Sequence, residues 1–194
     1  MSRFNFFILV FITSLFSCSS CSNTNIQANR HGLIEDVFPF LLKSHSCLEG
    51  DTLPSLYTCD STNISPPFYW SHKPEKTASF ALIMDDPDAP MGTWVHWIVY
   101  NIPATDTGLT MNFPKDSVLA NGTKQGYTSF RAIGYGGPCP PNGVHRYYFK
   151  LYALDAKLNV PAGLNKPQLL NAMKGHTLAE ADFVVRYARK KKAH

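Results

Sequence analysis

The sequence predicts an all-β-dominated protein, a sandwich or barrel with helices at its C-terminus. Three observations carry this. Three separate runs are rich in β-branched and aromatic residues: Thr77 to Asp86 (TASFALIMDD), Thr93 to Tyr100 (TWVHWIVY) and His145 to Leu154 (HRYYFKLYAL). Turn-forming residues separate them, namely Pro87-Asp88-Ala89-Pro90, Asn101-Ile102-Pro103 and a Gly/Pro-rich loop before His145. Helical spacing appears only near the end, so alternating β-α-β units are not expected.

The chain has 194 residues with 44% hydrophobic content, which suits one domain with a substantial core. The N-terminus reads as a targeting segment. Arg3 precedes an apolar run from Phe4 to Phe16, and small residues follow in Ser17-Cys18-Ser19-Ser20-Cys21. This run is too short for a comfortable membrane span. Leu15-Phe16-Ser17-Cys18 resembles a bacterial lipobox, in which Cys18 is acylated and becomes the mature N-terminus, although Phe16 is bulky for its position. Ser19 is unlike the Asp that retains such proteins at the inner membrane. The expected organisation is a signal over 1–21, a polar tether and entry segment over 22–44, and the folded domain over 45–192. The expected location is the periplasm of a bacterium, or its outer membrane through a lipid anchor.

Five cysteines are present: Cys18, Cys21, Cys47, Cys59 and Cys139. Export to an oxidising compartment permits disulfides. The separations of 12 residues from Cys47 to Cys59 and 80 from Cys59 to Cys139 are not those of a metal knuckle. The sequence leaves the pairing open; the expected bridge uses Cys59, with Cys139 or Cys47 as its partner.

At the C-terminus, Lys166 to Lys174 reads as a short helix stopped by Gly175. Thr177-Leu178-Ala179-Glu180 has the form of a capping box. Leu178, Ala181, Val184, Val185 and Ala188 continue at helical spacing, and Arg189 to Lys192 would lie at the helix C-terminus, where the macrodipole favours cations. The formal charge of +4 comes largely from that end. Without a second basic cluster interleaved with aromatics, no nucleic-acid partner is expected.

Alternation along the strands gathers ionisable residues. One face holds Phe80, Leu82, Met84 and Asp86; another holds Trp94, His96, Ile98 and Tyr100; a third holds His145, Tyr147, Phe149 and Leu151. Each places one ionisable group on a mostly apolar face, and a buried charge needs a partner. Asp86, His96 and His145, with Trp94, Tyr147 and the loop, therefore point to a small polar pocket. Asn121 to Gly143 contains six glycines and three prolines, the profile of an ordered functional loop. Two imidazoles with glycine N–H groups nearby make an anion site, and Asp86 would orient one imidazole or meet a ligand cation. Affinity should then rise as pH falls toward about 6.

Several motifs together resemble the phosphatidylethanolamine-binding protein family, in its bacterial, Raf-kinase-inhibitor-like branch. They are Asp86-Pro87-Asp88-Ala89-Pro90, Trp94-Val95-His96, Gly137-Pro138 with His145-Arg146-Tyr147, Cys59-Asp60 ahead of Ile64-Ser65-Pro66-Pro67-Phe68-Tyr69-Trp70, and Lys174-Gly175-His176 with Ala179-Glu180-Ala181. The resemblance covers roughly residues 45 to 190. It implies an antiparallel Greek-key β-sandwich with C-terminal helices and a pocket for phosphate, acetate or phosphoethanolamine-like groups. Carried over residue by residue, that pocket comprises Asp86, Asp88, Pro90, Trp94, His96, Gly137, Pro138, His145 and Tyr147. Eukaryotic members carry a longer insert where only Met91-Gly92-Thr93 stands here, so their kinase partners are not carried over.

The leading expectation is a binding protein for a small anionic or phosphorylated ligand, without cofactor or catalytic residues. A regulator of a protease or kinase using the same pocket is the alternative, and a metal-dependent hydrolase a third. Against an enzyme stand the absence of His-Glu-x-x-His and Gly-x-Ser-x-Gly and of a nucleophile beside a base. The resemblance also leaves a homodimer open.

Overall fold

The apolar run Phe80-Ala81-Leu82-Ile83-Met84 forms the middle strand of the larger sheet. The computed structural model describes residues 38–189. Its strands are β1 (Leu41–Lys43), β2 (Phe68–Ser71), β3 (Ser79–Asp86), β4 (Trp94–Pro103), β5 (Gly108–Leu109), β6 (Lys124–Gln125), β7 (His145–Leu154) and β8 (Thr177–Tyr187), with one α-helix, α1 (Lys166–Met173), between the last two strands. A 3-10 turn covers Ser55–Tyr57. All pairings between these strands are antiparallel. One sheet has the order β1-β2-β5 and the other β6-β4-β3-β7-β8. The signal expected over 1–21, with Cys18 and Cys21, and residues 190–194 lie outside the described residues.

Every residue of β3 is buried, as a central strand covered on both faces requires. Its inner face, with Phe80, Leu82 and Met84, packs with Trp97, Val99, Phe149 and Leu151 against Leu42, Phe68, Trp70 and Leu109 of the small sheet. Its outer face, with Ala81 and Ile83, packs with Ile98, Tyr100 and Leu154 under Leu169 and Met173 of α1 and Leu158 of the preceding loop. The helix is capped as a capping box should be: Asn165 Oδ1 accepts from Gln168 N at 3.0 Å, and Gln168 Oε1 accepts from Asn165 N at 2.9 Å.

The expected second C-terminal helix is a strand. From Leu154↔Thr177 to His145↔Tyr187, β8 pairs along the whole of β7. Ala181, Phe183, Val185 and Tyr187 are buried, while Glu180, Asp182 and Arg186 are exposed, a period of two. The helical spacing of Leu178, Ala181, Val184 and Val185 left out Phe183 and Tyr187, the two largest buried side chains of the segment. A long ladder and a shared core outweigh a local capping pattern. The outer edge of β8 is protected as well, since Gly50 N donates to Val184 O, Leu53 N to Arg186 O and Arg186 N to Asp51 O. Arg189 pairs with Asp60 at 3.0 Å instead of lying at a helix end.

Two irregularities shape β4. Asn101, at φ 55°, is an extra residue opposite Ala81, and its side chain clasps the Leu158 backbone at 2.8 and 2.9 Å. The strand therefore runs on through Asn101-Ile102-Pro103, where the sequence indicated a turn. The second irregularity lies between Met84↔Trp97 and Asp85↔Val95, where His96 is the unpaired extra residue.

The long segment before β7 is tied down by a disulfide between Cys59 and Cys139, by the Tyr135 hydroxyl donating to Tyr57 O at 2.7 Å, and by Cys59 N donating to Pro138 O at 3.1 Å. The disulfide spans 80 residues of chain, so reducing it, or making Cys59→Ser, is expected to lower stability by about 2–5 kcal/mol. Denaturant titration with and without reductant measures this. Equal midpoints would show that the loop contacts suffice without the bridge.

Candidate functional site

The site starts from Asp86, which ends β3 at 3% exposure. A carboxylate this buried needs hydrogen-bond partners. Oδ1 accepts from Asp88 N at 2.9 Å, closing the turn after the strand. Oδ2 accepts from His145 Nδ1 at 2.7 Å. His145, the first residue of β7, is itself buried and stacks over the Tyr147 ring.

His96 arrives by a different route. Ile98 and Tyr100 face the outer side of the sheet, so plain alternation from them would send His96 outward as well. The extra residue in β4 turns it to the inner side, edge-on to Tyr147 at 5.2 Å. There its Nδ1 donates to Gly136 O at 2.6 Å, and Gly136 N returns a hydrogen bond to His96 O. Burial lowers the His96 pKa, against the opposing pull of the Gly136 carbonyl and the Asp86 and Asp85 charges. The imidazole is thus neutral at neutral pH. With its proton on Nδ1, it offers a lone pair at Nε2.

These groups face a cavity of about 220 Å³ lined by Asp86, His96 and His145, with Pro90 and Trp94 on one side and Cys139, Pro140 and Pro141 on the other. Ala89 and Phe130 complete it. Phe130 meets both Trp94 and His96 edge-on at 5.3 Å. Beneath the two imidazoles lies the fully buried Tyr147, whose hydroxyl has no hydrogen bond of good geometry. Burial first, and then the nearby Asp86 charge, raises its pKa and keeps the phenol neutral.

Of the residues expected at the pocket, Asp86, Pro90, Trp94, His96 and His145 line the cavity, and Tyr147 packs behind the two imidazoles without lining it. Asp88, Gly137 and Pro138 do not line it; they hold its frame. Asp88 accepts a forked pair from Arg146, at 2.7 and 2.9 Å, and also the Arg146 backbone N–H. The Arg146 hydrogen bonds lower its pKa to about 2. Gly137 packs so closely on the turn below that an added Cβ would lie 2.4 Å from Tyr57 O, and its N–H is committed to Asn63 Oδ1 at 2.8 Å. The expectation that the loop glycines offer free donors is therefore corrected: Gly136 and Gly137 N–H groups are both used within the frame. Of the loop residues Cys139, Pro140 and Pro141 that line the cavity, Cys139 has a backbone N–H, and it makes no hydrogen bond among the described residues.

Ala89, Phe130, Cys139, Pro140 and Pro141 were not anticipated. The last three lie in the same Gly/Pro loop a few residues before His145, which was the available signal. Phe130 stands in an irregular stretch with no periodicity to mark it. Among the described residues, no three His, Cys, Asp or Glu side chains are grouped to hold a metal ion.

Known proteins are similar in sequence and architecture. The profile described as phosphatidylethanolamine-binding protein matches residues 43–188. A UPF0098 protein from Methanothermobacter thermautotrophicus is 49% identical over 148 residues, covering 76% of this chain and 98% of its own. Another from Aquifex aeolicus is 45% identical over 161 residues, covering 81% and 91%. The crystal structure of a putative phosphatidylethanolamine-binding protein homologue from Chlamydia trachomatis has a TM-score of 0.72 at 38% identity, covering 78% of this chain and 99% of that one. E. coli YbcL, described as a member of the mammalian PEBP family, has a TM-score of 0.73 at 34% identity, covering 79% and 100%. This chain belongs to the phosphatidylethanolamine-binding protein family.

Proposed function

We propose that the protein binds a small anion, a phosphate or carboxylate group, in the cavity between His96 and His145. One observation carries the reading. Both imidazoles are buried and each has its Nδ1 already committed, to Gly136 O and to Asp86 Oδ2, so each retains Nε2 for a ligand. Cys139, another lining residue, carries a backbone N–H that makes no hydrogen bond among the described residues. The cavity of about 220 Å³ is smaller than the ~300–1,000 Å³ typical of drug-sized ligands, which favours a head group over a larger molecule. The phosphatidylethanolamine of the family's description carries such a phosphate. Trp94 and Phe130 supply apolar walls beside it.

The reading extends to location. The charged-then-apolar pattern of residues 1–21, with Cys18 in a lipobox-like setting, supports export and attachment to a bacterial membrane through a lipid. The Cys59–Cys139 disulfide supports an oxidising compartment.

Calorimetric titration with inorganic phosphate and phosphoethanolamine tests the site. Replacing either imidazole removes one hydrogen bond to a charged group, about 1.5–3 kcal/mol, so His145→Ala and His96→Ala should each weaken binding about tenfold to a hundredfold. Near-UV circular dichroism reports whether each variant keeps the fold. Wild-type affinity in both folded variants would remove these imidazoles from the site.

The pH dependence has a defined sign. Burial holds the His96 pKa below its usual value in the free protein, and a bound anion favours the imidazolium. Binding therefore takes up a proton, and affinity rises as pH falls from about 8 to about 6. Acetate is a suitable probe because its own carboxyl does not titrate in that range. A flat profile would show that His96 gains no proton on binding and so makes no hydrogen bond to the anion.

A further inference from the structure

Asp85 and Asp86 are neighbours on β3, so their side chains point to opposite faces of the sheet. Asp86 serves the inner cavity. Asp85 lines a separate cavity of about 250 Å³ on the outer face, with Thr93, Arg146, Tyr148, Lys150 and Lys166. Asp85 is 3% exposed, which makes its partners a matter of necessity. Oδ2 receives Lys166 Nζ at 2.5 Å, while Oδ1 is buried with no hydrogen-bond partner. Lys166 opens helix α1, where the macrodipole disfavours a cation, so its placement there depends on Asp85.

The charged side chains that line this cavity are three cations and one carboxylate. Lys166 is paired with Asp85, and Arg146 with Asp88 at 2.7 Å. Lys150 has no carboxylate within ion-pair distance among the described residues; it stands 5.8 Å from the Tyr148 ring centre, which Arg146 also approaches at 5.9 Å. One cation thus makes no ion pair, although Asp182 faces it across the β7–β8 ladder, and one buried acceptor lacks a donor. A plain anion would satisfy Lys150 and leave Asp85 Oδ1 bare. A plain cation would meet three positive side chains. An ammonium donor would approach a carboxylate that already holds the Lys166 ammonium.

We propose that this outer cavity is a second binding site, for a small anion that carries a hydroxyl next to its charged group. The anionic group sits at Lys150, with Arg146 beside it, and the hydroxyl donates to Asp85 Oδ1. A hydroxycarboxylate and a hydroxylated phosphate monoester share this chemistry. The site is independent of the His96–His145 cavity.

The test is amide NMR on the full chain, titrated with lactate, propionate and glycerol 3-phosphate. Lactate differs from propionate by the one hydroxyl, and glycerol 3-phosphate distinguishes the phosphate source from the carboxylate source. Saturable shifts of the Asp85, Thr93, Lys150 and Lys166 amides with lactate or glycerol 3-phosphate, about tenfold weaker with propionate, are the expected result. Lys150→Gln, a substitution at a half-buried position, should abolish them while leaving inorganic phosphate's effects around His96 and His145 unchanged. The proposal is overturned if propionate matches lactate, if Lys150→Gln binds as wild type, or if the hydroxylated anions shift only the amides around His96 and His145.

Discussion

The Asp86 carboxylate sets the terms for everything around it. It ends a strand whose every residue is buried, and it cannot remain charged there without donors. One oxygen takes the Asp88 N–H and so closes the turn into β4; the other takes His145 Nδ1 and so fixes the imidazole at the start of β7. Asp88, brought round by that turn, clamps Arg146 on the far side of the same strand. A single buried acid therefore joins the ends of the two strands that flank the cavity, and it orients the ring that faces it.

The second imidazole is positioned by backbone geometry. His96 is the unpaired residue of a bulge, and its ring is held by a carbonyl of the loop that carries the disulfide. Loop and strand thus depend on each other: Gly136 orients His96, while the Cys59–Cys139 bridge and the close seat of Gly137 on Tyr57 keep Gly136 in place. A preorganised ring has little freedom to lose when a ligand arrives. The same strand end serves a second face, because Asp85 turns away from Asp86 and takes Lys166 as its partner.

The three main strands were legible because burial on one or both faces leaves a periodic mark, and β7 falls on the residues its pattern indicated. Asp86 and His145 were legible for the same reason. His96 was found by residue type while its geometry was misread: alternation grouped it with Ile98 and Tyr100, and a bulge leaves no mark in a period of two. The segment from Thr177 failed differently. It satisfies a helical spacing and a strand alternation at once, and the ladder to β7, a partner distant in sequence, decides between them. The short strands β1, β5 and β6 carry too few residues to show any period. The roles of Gly136 and Gly137 rest on contacts far away in the chain, with His96 for the first and with Asn63 and Tyr57 for the second.

The account's central claim is that both histidines present Nε2 to a ligand while Nδ1 is held by the protein. Long-range proton–nitrogen NMR of the imidazole rings reads this directly. The account predicts that free His96 is neutral near neutral pH with its proton on Nδ1. It also predicts that acetate shifts the Nε2 resonances of His96 and His145 but not those of the exposed His45, His72 and His176. A His96 proton on Nε2, or rings that do not respond to saturating acetate, would contradict it.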